Sequence, residues 1–173
     1  MALPQIEIRR FSKEFLEGAA QLELLVYGPK EAWPKESLAF DIERGYARYL
    51  VLLVDGQLAG YAGSWNLLGE LEVSTITIAP CWQGHGLGLY LFANLIAQGL
   101  EDGVEAATLE VRFNNEAALS IYRRFGFKAV GIRKKYYENR YDAIIMRVEH
   151  MQEPTYVGQV KEWADNCHLK GLG

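Results

Sequence analysis

Between Thr75 and Leu100 the chain passes from a strand pattern, through a glycine-rich stretch, into a long apolar helix pattern. Thr75-Ile76-Thr77-Ile78 is a run of strand formers, and Pro80 ends it. Gln83-Gly84-His85-Gly86-Leu87-Gly88 follows and leads straight into Leu89 to about Leu100, with Gly103 as the stop. Such a junction presents a helix N-terminus whose backbone N–H groups point outward and whose dipole favours negative charge. Gly86 and Gly88 let the backbone approach a phosphate closely, which a Cβ would prevent. A plain flexible connection is the simpler alternative for any lone glycine-rich stretch. Two familiar phosphate motifs are excluded. No Gly-Lys-Ser/Thr ending is present, and the stretch follows the fourth strand of a hairpin-rich pattern rather than opening a dinucleotide-binding βαβ unit.

The rest of the chain supplies the sheet around this junction. Ile6 and Ile8 alternate with polar residues in a first strand from Gln5 to Phe11. Ser12 is placed to cap a helix to about Tyr27, ended by Gly28-Pro29, with Leu22, Leu25 and Val26 on its buried side. A loop with Trp33-Pro34 and a short helix from about Lys35 to Arg44 follow. Asp55-Gly56 joins the strand Tyr46 to Val54 to the strand Gln57 to Trp65 as a hairpin. A turn with Gly69 leads to the strand Glu72 to Ile78. Downstream come the strand Ala106 to Arg112, then a helix capped by Asn114 or Asn115 with Ala118, Ile121, Tyr122 and Phe125 on its apolar face. The strands Phe127 to Tyr137 and Ala143 to Val148 complete the pattern. This order predicts an α+β fold: a mixed, mostly antiparallel twisted sheet flanked by about four helices, with one parallel pair joined by the central helix. The domain is expected over 1–150, with 151–173 a tail holding a short helix around Val157 to Ala164 and a loose end.

Composition narrows the function. Half of the 173 residues are hydrophobic, which suits one globular domain with a sizeable core. Eighteen basic against 22 acidic side chains give a net charge of −4, which disfavours a general polyanion binder. Leu87 to Ala97, the most apolar stretch, is too short for a bilayer, and the first residues show no secretory pattern. Cys81 and Cys167 stand far apart, so neither a disulfide framework nor a zinc site is expected. The expectation is a cytoplasmic protein without nucleic-acid or membrane partners.

The motif Gln83-x-x-Gly86-x-Gly88 resembles motif A of the GNAT superfamily of N-acetyltransferases. The stretches Leu109 to Ala118, Ile121 to Phe127, Arg133 to Tyr137 and Asp142 to Met146 extend the match to its RimI-like branch, the ribosomal-protein N-terminal alanine acetyltransferases. The resemblance implies the GNAT acyl-CoA N-acyltransferase fold, acetyl-CoA as cosubstrate, no metal, and a monomer or weak dimer. It places the pyrophosphate on Gly84, His85, Gly86, Leu87, Gly88 and Leu89, and the pantetheine along Ile76, Thr77 and Ile78. Asn115 becomes a CoA contact as well as a cap. Leu89 stands where the family often has a basic residue, Glu72 replaces a more usual histidine, and Trp33-Pro34 is an altered family loop.

Transfer to an amine needs a base for the ammonium and an acid for the leaving thiolate. Glu110 matches the branch's general base and Tyr122 its general acid. Taken without that match, Glu110 is a candidate ion-pair partner of Arg112 on the same strand face, and Tyr122 a core tyrosine. Arg133-Lys134-Lys135 reads as a solvated strand edge, Cys81 as a bystander, and Cys167-His168 as incidental. The implied acceptor is the N-terminal alanine of a small-subunit ribosomal protein with basic first residues. Glu31, Glu36, Asp41, Glu70, Glu72 and Glu138 would suit it. Other amines (a polyamine, an antibiotic or a lysine) and a non-catalytic acyl-CoA-binding module are the alternatives.

Overall fold

The computed structural model describes residues 2–137 and 141–171. In chain order the elements are β1 (Ile6–Arg10), α1 (Leu16–Tyr27), α2 (Lys35–Ile42), β2 (Ala47–Val54), β3 (Gln57–Leu67), β4 (Glu70–Ile78), α3 (Leu87–Glu101), β5 (Ala106–Arg112), α4 (Glu116–Arg124), β6 (Lys128–Tyr137), β7 (Tyr141–Val148) and α5 (Pro154–Asp165). The strands form one seven-stranded sheet in the order β1-β2-β3-β4-β5-β7-β6. All neighbours are antiparallel except β4 and β5, which α3 joins as a parallel crossover. The Asp55-Gly56 hairpin forms with both residues at positive φ, as a two-residue turn of matching twist requires.

Alternation along β2 divides the interior into two cores. Leu50, Leu52 and Val54 face α3, α4 and α5, together with Phe92, Leu95, Leu109, Val111 and Phe125. Tyr49, Val51 and Leu53 face α1 and α2, together with Phe11, Ala19, Leu22, Leu38 and Tyr61. The sheet therefore has two differently furnished faces.

Two sequence expectations change. Leu25 is 68% exposed, whereas Glu23 is buried at 1%. Leu22, Leu24, Leu25 and Val26 give α1 an almost continuous apolar run, so hydrophobicity alone does not choose its inner face. Ser12 makes no cap bond; its hydroxyl donates to Glu14, and a 3₁₀ turn over Lys13–Phe15 leads into α1. The short helix expected around Val157 to Ala164 lies within α5, the fifth helix among the described residues. Met151, Val160 and Ala164 pack into the core beneath α3 and α4, and Tyr156 donates its hydroxyl to the Phe125 carbonyl at 2.8 Å. Among the described residues no helix is long and apolar enough to cross a membrane.

Candidate active site

The glycine loop is pinned to its strand by its own first residue. The Gln83 amide donates to the Ile78 carbonyl at 2.9 Å. Gly86, the N-cap of α3, sits at φ 88° in the left-handed region, and its carbonyl accepts the first helical bond from Tyr90. Among the described residues none of the amides from Gly84 to Leu89 finds a hydrogen-bond acceptor. Donors left over at the start of a helix are what an anion needs, and the loop fits a diphosphate. Asn115 caps α4, its side-chain oxygen accepting from Ala118 N–H at 3.2 Å.

Beside the loop, β4 has an open edge. Its pairing with β5 covers only Glu70, Leu71 and Glu72 against Ala106, Ala107 and Thr108; the two strands then part. Ala79 N–H bonds to Ala59 of β3, and pairing alternates back along the strand. Thr77 therefore turns its backbone groups to β3, and Ile76 and Ile78 turn theirs to the gap. Their carbonyls are taken, Ile76 by the Tyr27 hydroxyl at 2.9 Å and Ile78 by Gln83. The Ile76 and Ile78 N–H groups remain as donors along an exposed strand edge, the fit an extended amide arm requires. Among the three predicted strand contacts, Thr77 holds a different place: its side chain is buried on the α1 side.

The proposed base and acid lie on opposite faces of the sheet. Leu109 and Val111 are buried against α3 and α4, so Glu110 points to the α1–α2 face. There it forms an ion pair with Arg133, Nη2 to Oε1 at 2.8 Å. The expected partner, Arg112, instead binds Glu31 of the α1–α2 loop at 2.9 Å and stacks over Tyr141. Arg133 is thus more than a solvated edge residue. It reaches Glu110 from two strands away, over Ala143, which pairs with both Arg133 and Arg112. Tyr122 projects from α4 into the other core, 5% exposed, its ring 5.1 Å from that of Phe92.

A polar network behind β4 escaped the sequence. Buried Glu23 accepts from the Tyr61 hydroxyl, from Trp33 N–H at 3.2 Å, and from Thr75 and Thr77 at 3.4 Å. It ties the Trp33-Pro34 loop to β4. Burial, with the Glu23 carboxylate beside it, pushes the Tyr61 phenol far above its usual range. Asp41 does similar work at α2, accepting from Tyr49 and from the Trp65 indole at 2.8 Å. Burial, reinforced by Asp41, likewise raises the Tyr49 phenol. Of the acidic residues expected to greet a basic peptide, Glu31, Asp41 and Glu70 are engaged by Arg112, the Tyr49–Trp65 pair and Arg147. Glu36 and Glu72 are exposed; Glu138 lies outside the described residues. A signal for Glu23 existed only as an acidic residue in an apolar helix face, which the sequence does not distinguish from an exposed one.

Comparison with known proteins agrees with this geometry. The family model described as the Acetyltransferase (GNAT) family matches residues 12–127. The N-alpha-acetyltransferase RimI of Mycobacterium tuberculosis is 35% identical over 150 residues, 82% of this chain and 91% of that protein. The ribosomal protein bS18-alanine N-acetyltransferase of Escherichia coli (strain K12) is 34% identical over 117 residues, 66% of this chain and 78% of that protein. The crystal structure of the ribosomal-protein-S18-alanine N-acetyltransferase from Escherichia coli superimposes with a TM-score of 0.77 at 29% identity, covering 84% of this chain and 94% of that one. With the glycine loop, the parted β4–β5 pair and these similarities together, the chain belongs to the GNAT family of acetyl-CoA-dependent N-acetyltransferases.

Proposed function

We propose that this chain acetylates the N-terminal α-amine of a protein, with the N-terminal alanine of a small-subunit ribosomal protein as its acceptor. The observation that carries the proposal is the gap between β4 and β5. It joins the α3–α4 face, where the anion loop lies, to the α1–α2 face, where Glu110 lies. Relatives at 34–35% identity named for this activity support the same reading.

In this mechanism acetyl-CoA supplies the thioester that the amine attacks. The amides from Gly84 to Leu89 hold the phosphates, and the N–H groups of Ile76 and Ile78 align the pantetheine arm and polarise the carbonyl oxygen. An N-terminal ammonium has a pKa of about 7.7–8.0, so most of it must lose a proton before it reacts at neutral pH. Glu110 accepts that proton through a water molecule, held in place by Arg133. Tyr122, on the opposite face, delivers a proton to the departing thiolate. Glu36 and Glu72, exposed on the acceptor side, favour basic residues following the terminal alanine.

The test is a pair of hexapeptides beginning Ala-Arg, one with a free α-amine and one with that amine blocked but a lysine free. Mass analysis after incubation with acetyl-CoA should find one acetyl group, on the free α-amine alone. Modification of the lysine in the blocked peptide, or transfer only to small amines, contradicts the proposal.

A further inference from the structure

The segment after α5 returns along α3 to the glycine loop. Cys167 and Leu169 pack against the α3 core. Lys170 N–H donates to the His85 carbonyl at 3.0 Å, and the Lys170 carbonyl stands 2.8 Å from His85 Nδ1. The His168 carbonyl lies 2.6 Å from where a Cβ on Gly86 would be. The segment thus meets the loop through a carbonyl and an imidazole. It takes none of the amides from Gly84 to Leu89, so it braces the loop without filling the cradle.

Charge gives this contact a second consequence. Between Arg48 and Arg112 the chain has neither Lys nor Arg, a stretch that includes β4, the loop and all of α3. Phosphates on this loop meet backbone dipoles but no permanent cation from the elements that form it. The C-terminal segment brings one. Lys170 is exposed at the loop and, among the described residues, enters no ion pair.

We propose that Asn166 to Lys170 completes the acyl-CoA phosphate site, bracing the loop through His85 and supplying Lys170 as the cation that the loop lacks. The inference rests on the acyl-CoA reading of the loop. A lysine ammonium acts on phosphate as a point charge, so the effect is electrostatic and weakens with salt.

The test is calorimetric binding of CoA to the full chain, with S-acetylpantetheine, which carries no phosphate, as the second probe. Lys170→Gln should weaken CoA binding about three- to tenfold at low ionic strength, the deficit shrinking as salt is added. Lys170→Arg should stay within about twofold of the unmodified chain, because the charge is kept. S-acetylpantetheine binding should not change in either variant. Equal CoA binding by Lys170→Gln at low salt overturns the proposal, and tighter binding overturns it by making the segment an obstruction. An unmodified chain that fails to bind CoA at all would instead remove the acyl-CoA reading beneath it.

Discussion

Glu110 and Arg133 are joined across the sheet, Oε1 to Nη2 at 2.8 Å, although one belongs to β5 and the other to β6, with β7 between them. Ala143, fully buried on β7, is small enough for the guanidinium to pass over. The pair fixes the carboxylate assigned as base in the proposed mechanism. Arg133→Met should lower kcat about tenfold, a fraction of the 10²–10⁴ that general base catalysis contributes. CoA affinity should stay unchanged, and Arg133→Lys should recover part of the loss. A merely structural arginine would lower the melting temperature and leave kcat of the folded fraction alone.

Gly86 is the loop position least open to substitution. Its φ of 88° and the His168 carbonyl both stand against a Cβ. Gly86→Ala should cost about 1–2 kcal/mol from the left-handed backbone alone. Binding of CoA should weaken as well, because the added Cβ meets the His168 carbonyl and shifts the loop amides. Thermal melting and calorimetry check the two effects separately.

The glycine loop and the start of α3 were legible because their signal is local. Strand formers, glycines and an apolar helix lie consecutively, and their spacing alone fixes a helix N-terminus beside a strand end. The Asp55-Gly56 hairpin and the parallel β4–β5 pair were legible for the same reason. The Glu110–Arg133 pair was not, because it depends on β7 returning between β5 and β6, and the nearer Arg112 looked the simpler partner. Nor was the packing of α5 into the core, because its buried residues, Val160 and Ala164, are too few and too small for a clear stripe. The inward turn of Glu23 was hidden too: four hydrogen-bond donors from other elements make its burial tolerable, and none of them is nearby in sequence except Trp33.

That network gives a stability prediction. Glu23→Leu leaves the Tyr61 hydroxyl and Trp33 N–H without their acceptor, at about 1–3 kcal/mol for each buried donor left unmet. Urea unfolding should show the loss, and the acceptor KM should rise as the Trp33-Pro34 loop loosens. Leu25→Gln, two residues away on the exposed side, should change stability by less than about 0.5 kcal/mol.

The buried phenols predict an alkaline limit. Tyr49 and Tyr61 have pKa values raised in the folded state, so the folded chain holds those protons more tightly than the unfolded chain. Their contribution is complete below the unfolded value of about 10 and is lost as pH rises past it. Stability from urea unfolding should be insensitive to these groups between pH 7 and 9 and fall above about pH 10. Tyr49→Phe should make that fall shallower.

In the proposed mechanism Glu110 takes the proton from the acceptor amine. The most direct measurement of this step is kcat/KM of Glu110→Gln on a peptide beginning Ala-Arg, from pH 6 to 9, with CoA affinity measured in parallel. A loss of about 10²–10⁴-fold is expected near neutral pH at unchanged CoA affinity, with the residual rate climbing as the amine deprotonates by itself. A variant within a few fold of the unmodified chain, with the same pH profile, would contradict it.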